Sequence, residues 1–134
     1  MDVSYLHICL PAQGSPATAF DAVGRAVCAM PGWAVAPGDG APDHGYRVWR
    51  HRDSGTALLA VAVGLDPLVI SIGRDPSGRG GGEQAAREAV ATVRQAAPAL
   101  GGRVVADWEL LPLVRQAQER LEWRVRAEAR EGRA

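Results

Sequence analysis

Residues 56–73, TALLAVAVGLDPLVISIG, constrain the fold of this chain more than any other stretch. Two short apolar runs, Thr56–Val63 and Leu68–Gly73, stand either side of the breaker Leu65-Asp66-Pro67. The pair is too short and too interrupted for a membrane helix. It reads as two adjacent strands joined by a turn. The first run, almost continuously apolar and small, has the character of a central strand; the second places Leu68, Ile70 and Ile72 on one face. A sheet with such a centre needs other elements to cover it. The 134 residues, 47% of them apolar, are of one-domain size and can bury a core.

The flanking patterns supply that cover. Val3–Leu10 is a strand with apolar residues on both faces. Ser15 offers a cap and Pro16 a first helical position, and Phe20, Val23, Val27 and Met30 follow at helical spacing. Pro31-Gly32 stops that helix. Trp33–Ala36 is a short strand, residues 37–45 a Pro/Gly-rich loop, and Tyr46–Arg52 a polar strand near an edge, closed by the Asp53-Ser54-Gly55 turn. Ala86, Val90, Val93 and Ala97 mark a second helix, ending before Pro98. Arg103–Leu110 alternates with period two and is expected as a strand. Pro112 then opens a last helix whose core stripe is Val114, Ala117, Leu121 and Val125. The order β-α-β-β-β-β-α-β-α predicts an α+β fold, a mostly antiparallel sheet with helices on one face. A ferredoxin-like core with an inserted hairpin satisfies it. The whole chain, 1–134, is expected as one domain with its last six or so residues frayed.

Composition narrows function by exclusion. The formal net charge is zero, so the cationic surplus of a nucleic-acid binder is missing. All fifteen basic residues are Arg, as the codon bias of a high-GC bacterium would give. The two cysteines, Cys9 and Cys28, are too few for a disulfide scaffold. No basic stretch followed by an apolar one suggests a signal peptide. The expected location is cytoplasmic, with both thiols reduced. No histidine or cysteine pair has zinc-ligand spacing, no carboxylate pair stands out, and no cofactor is expected.

Residues 73–88, GRDPSGRGGGEQAARE, join a strand to a helix through a glycine-rich loop. Such a loop can hold phosphate on free helical N–H groups. No Lys follows the glycines, so the Walker pattern is absent. The eight residues between Arg74 and Glu83 also misfit the dinucleotide fingerprint, whose turn follows its strand directly. The loop is therefore read as a connection in which Gly80, Gly81 and Gly82 tolerate Ala. The run RGGGEQAAREAVATV nevertheless resembles the acetyl-CoA loop and helix of the N-acetyltransferases. That resemblance would make Arg79, Gly80 and Gly82 ligand-binding residues and acetyl-CoA the ligand, an alternative function spanning residues 79–84. The sequence departs from the family pattern at Gln84, where Gly or Ala is required, and lacks the family's closing strands.

Two surfaces suggest a polypeptide partner. In HGYRVWRHRD, residues 44–53, Tyr46 shares a strand face with Val48 and Arg50, while Trp49 lies opposite with Arg47 and His51. The two rings cannot form one base-stacking platform, which leaves Trp49 and Arg47 as candidates for a protein contact at this edge. On the last helix, Trp123 lies about 200° from Leu121, among Glu119, Arg120 and Arg126. Trp is enriched where proteins meet, so Trp123 and Arg120 are the second candidate interface. The leading expectation is a small non-enzymatic protein of adaptor, chaperone or immunity type that binds another protein or a second copy of itself. A small-molecule-binding or enzymatic domain, with its pocket between the sheet and the 37–45 and 75–82 loops, is the alternative.

Overall fold

A computed structural model describes residues 6–10, 16–41, 45–65, 67–75 and 82–132. Within them the chain is α+β: a six-strand antiparallel sheet with three helices. The strands are β1 (Leu6–Leu10), β2 (Trp33–Ala41), β3 (Tyr46–His51), β4 (Ala57–Leu65), β5 (Leu68–Arg74) and β6 (Arg103–Val105). The helices are α1 (Pro16–Cys28), α2 (Glu83–Ala96) and α3 (Asp107–Glu131), with a 3₁₀ turn at Ala97–Leu100 after α2. The sheet order is β2-β3-β4-β5-β1-β6, every neighbouring pair antiparallel. β1 and β4 therefore run the same way with β5 between them.

Register assigns the faces. Leu6, Ile8 and Leu10 oppose Ile72, Ile70 and Leu68, and Leu58 opposes Trp49. These side chains form one core with Phe20, Val23 and Val27 of α1 and Ala86, Ala89, Val90 and Val93 of α2. Ile8, Ile70, Ile72 and Val93 are fully enclosed, each contributing about 1.5–3 kcal/mol relative to exposure. The opposite face carries Val48, Ala57, Val69 and Val105, also buried. An apolar second face calls for cover of its own, and α3 supplies part of it. The helices are thus not all on one face: α1 and α2 share one side, and α3 crosses the other.

Three expectations are corrected. β2 runs on to Ala41, into the segment expected as a loop, with a register shift between Val35 and Gly40 that absorbs the irregularity. β2 and not β3 is the outermost strand, so the Tyr46–His51 strand is paired on both sides. At the other end, the strand expected over Arg103–Leu110 stops at Val105, and α3 begins at Asp107. The Glu109 carboxylate accepts from the Ala106 N–H (3.3 Å) while the Glu109 N–H bonds the Ala106 carbonyl (2.9 Å). This half of a capping box, with Asp107 and Glu109 in a first turn that favours negative charge, starts the helix early. Pro112 consequently sits inside α3, where it cannot donate to the Trp108 carbonyl. The helix continues to Glu131.

Candidate interaction surface

α3 has 25 residues, about 37 Å of helix at 1.5 Å per residue. It touches the sheet over only part of that length. At the crossing point, Ala117 lies on Gly64 so closely that a Cβ on Gly64 would stand 3.0 Å from that of Ala117. Leu110, Leu113 and Val114 are half-buried on the same side. Beyond the crossing the expected core stripe fails. Ala117 is its one enclosed member, while Leu121 and Val125 are 41% and 56% exposed. Leu121 only borders the cleft beside β4, and Val125 lies one turn further along the helix. Leu111 is 57% and Leu65, at the end of β4, 47% exposed. A cleft of about 200 Å³ separates Ala62–Leu65 of β4 from Val114, Ala117, Gln118 and Leu121. Leu111, Leu121, Val125 and Leu65 are the surface residues that sequence reasoning missed. Helical periodicity identified the stripe but not how much of it the sheet covers.

The sequence-derived candidates divide. Trp123 is 71% exposed, as expected, but on the side of α3 turned away from the cleft, with Arg120 also exposed. Trp108, not singled out before, is 80% exposed. Trp49 cannot be a surface contact. It is fully buried beneath α1, and its indole Nε1 lies over Gly24 without a hydrogen-bond acceptor. Arg47 points to the same layer, mostly covered, and is ion-paired with Asp21 of α1. Tyr46 and Trp49 do lie on opposite faces of β3, and the Trp49 face is the core face.

Arg79 and Gly80 lie outside the described residues. Gly82, at the N-cap of α2, is buried, and a Cβ there would overlap Thr56 Cβ. It is a packing glycine, which corrects the expectation that Ala is tolerated at that position. Gln84 sits on the exposed face of α2, donating to Glu88 at 3.0 Å. The pocket expected between the sheet and the 37–45 and 75–82 loops falls largely on residues outside those described. Tyr46 pairs with Val61 toward the β4–β5 turn, whereas Asp75 bonds the Ala57 carbonyl beside the 53–55 turn. The two loops leave from opposite ends of the sheet.

One side-chain constellation has the composition of a nucleophilic site. His7 Nε2 lies 3.0 Å from Asp107 Oδ1, and His7 Nδ1 lies 2.7 Å from Ser71 Oγ. With Nε2–H donating to the carboxylate, Nδ1 accepts from the Ser71 hydroxyl. A reacting serine also needs N–H donors for the charge that develops on its substrate. Ser71 sits mid-strand in β5, paired with His7 on one side and Val61 on the other, where neighbouring N–H groups serve the ladder. Asp107 is 95% exposed in its side chain, leaving the network unsealed from water. The chain works as a clasp: it ties the first residue of α3 to β1 and β5. A similar pair closes the 51–54 turn, where His51 Nδ1 and Ser54 Oγ stand 2.9 Å apart.

Both cysteines are free, as expected. Cys28 is exposed as a residue, yet burial around its sulfur pushes the thiol above its ordinary value, outweighing the Val35 N–H and Arg47, which lower it. Among the described residues no group of three His, Cys, Asp or Glu could hold a metal ion, and no helix is long and apolar enough to cross a membrane. No family model, curated protein or solved structure matches the chain.

Proposed function

We propose that the chain is a non-enzymatic cytoplasmic protein that binds another polypeptide, in the manner of an adaptor, chaperone or immunity-type partner, through α3 and the cleft beside β4. The observation that carries this reading is the cleft bordered by the exposed Leu65 and Leu121, with Leu111 and Val125 also exposed on α3. Contiguous apolar surface of this kind marks docking sites. Roughly half of each side chain is open to water, so covering all four offers on the order of 4 kcal/mol. A net charge of zero supports a polypeptide over nucleic acid. Free thiols support a reducing compartment. The β6-β1-β5-β4 order and directions, with α1 and α2 on one face, also favour reading the sheet as a βαββαβ unit extended by the β2–β3 hairpin.

The test is site-specific photo-cross-linking in the producing cell, with the probe at Leu121 or Val125 and, as control, at exposed Arg87 on α2. Adducts to a defined polypeptide from 121 and 125 but not from 87 are expected. Equal labelling from all three positions, or none from α3, would overturn the reading.

A further inference from the structure

We infer that the polypeptide docked on α3 is a second copy of this chain, its own α3 lying antiparallel in the cleft; the inference rests on the docking reading above and names its partner. Spacing is the first argument. Leu111, Val114, Gln118, Leu121 and Val125 recur at intervals of three, four, three and four. That is the seam of a helix packed against another helix of like spacing. α1 and α2 cannot fill the role, because their apolar stripes are already buried on the opposite face of the sheet. The matching seam belongs to α3 itself.

Rotation around the helix makes room for both contacts. The side that meets the sheet runs through Leu110, Leu113 and Ala117, while the seam is centred about 80° further round. Val114 and Leu121 belong to both, which is why they border the cleft. One flank of the seam, carrying Leu110 and Ala117, is taken by the sheet. The other carries Trp108, Arg115 and Glu122, all exposed.

That single free flank fixes direction. In a parallel pair each flank faces the opposite flank of its neighbour, and here one of those two lies against a sheet. In an antiparallel pair like flanks meet, so the two free flanks face each other. Arg115 and Glu122 are opposite in charge and one heptad apart, and neither has a side-chain partner among the described residues. A two-fold axis sets Arg115 against Glu122 of the second copy and Glu122 against its Arg115, as an isologous interface requires. The same register brings Val114 opposite the second Val125 and Gln118 opposite the second Leu121. A polar residue within such a seam serves to fix register. Trp123 points away and stays exposed in the pair.

Sedimentation equilibrium on the full chain tests this. The expected result is a mass of two 14.1 kDa chains. Leu121→Glu should yield one folded chain of unchanged circular dichroism, its melting temperature no longer dependent on concentration, with Kd weakened about a hundredfold or more, since a charge would enter an apolar seam. Trp123→Ala should leave the pair intact. Arg115→Glu and Glu122→Arg, both surface changes with no expected effect on folding, should each weaken self-association by about tenfold. Mixing these two variants should restore it, because each then meets its opposite charge. A dimer that survives Leu121→Glu, or variants that fail to complement on mixing, would overturn the antiparallel pair. A wild-type monomer at the highest soluble concentration would overturn self-association. In that event cross-links from position 121 to a different polypeptide leave the docking reading standing, and their absence removes both.

Discussion

Gly82→Ala is the substitution on which local rules and tertiary packing disagree in sign. Gly82 precedes the first residue of α2 with φ −102° and ψ 27°, values open to alanine. Considered alone, the change trims the freedom of the unfolded chain and should stabilise by about 0.4–1 kcal/mol. The structure predicts the reverse. A Cβ at Gly82 would overlap Thr56 Cβ and stand 2.6 Å from Thr56 Cγ2 and 2.7 Å from Ser54 Oγ. Thr56 is fully buried and β-branched, so its side chain has little rotamer freedom with which to move aside. Relief must come from backbone displacement between the 53–55 turn and the start of α2, an overpacking cost of about 1–3 kcal/mol. The net expectation is a loss of about 0.5–2 kcal/mol, visible as a lower urea midpoint with unchanged slope. Thr56→Ala removes Cγ2 and should recover part of the loss in the double variant. A Gly82→Ala protein as stable as the parent, or more so, would refute the close approach.

Thr56 Oγ1 is buried without a partner among the described residues. Thr56→Val keeps the shape and removes that group, so the midpoint should rise by the equivalent of about 1–2 kcal/mol. Ser71 should remain unlabelled by a fluorophosphonate under conditions that saturate a serine hydrolase; stoichiometric labelling would show that the His7 clasp activates it. The Cys28 thiol should alkylate more slowly at neutral pH than a free cysteine, and Arg47→Ala should slow it further by removing a charge that favours thiolate. Its value in the folded chain is raised by burial, so the associated stability is present below the ordinary thiol range and is lost as pH rises through the folded value. An alkylation rate equal to that of an unfolded control would contradict the burial.

The hairpin at residues 57–74 was legible because composition, length and turn chemistry agree there. α1 and α2 were legible for the same reason, with apolar positions at helical spacing between clear stops. Residues 103–110 misled because Val104, Ala106, Trp108 and Leu110 alternate like a strand, while Leu110, Leu113 and Ala117 already keep helical spacing. The Glu109 side chain decides between them, and no periodicity encodes it. β2 was truncated in the reading because Pro37, Gly38 and Gly40 look like a loop, and pairing with β3 overrides that signal. The candidate surface was half legible. Tryptophan among charges directed attention to Trp123, whereas Leu121 and Val125 were assigned to a core. Whether an apolar stripe is core or surface depends on what lies beneath it, which strand order decides.

The position of β1 also governs the order in which the molecule can assemble. β1 comes earliest among the described strands, yet its neighbours are β5 and β6. His7 meets Ser71 across 64 positions of chain, and Val105 is more distant still. Strands β2 to β5 form a run of hairpins whose contacts are local and can close early. β1 must wait for β5, and then for a three-residue strand made after α2. Closing loops of that length is entropically costly before its contacts repay it, so relaxation to the native state should be slow for so small a chain. During synthesis, Leu6, Ile8 and Leu10 emerge long before the strand that shelters them. A nascent chain stopped short of Arg103 leaves one edge of β1 open to whatever strand it meets first.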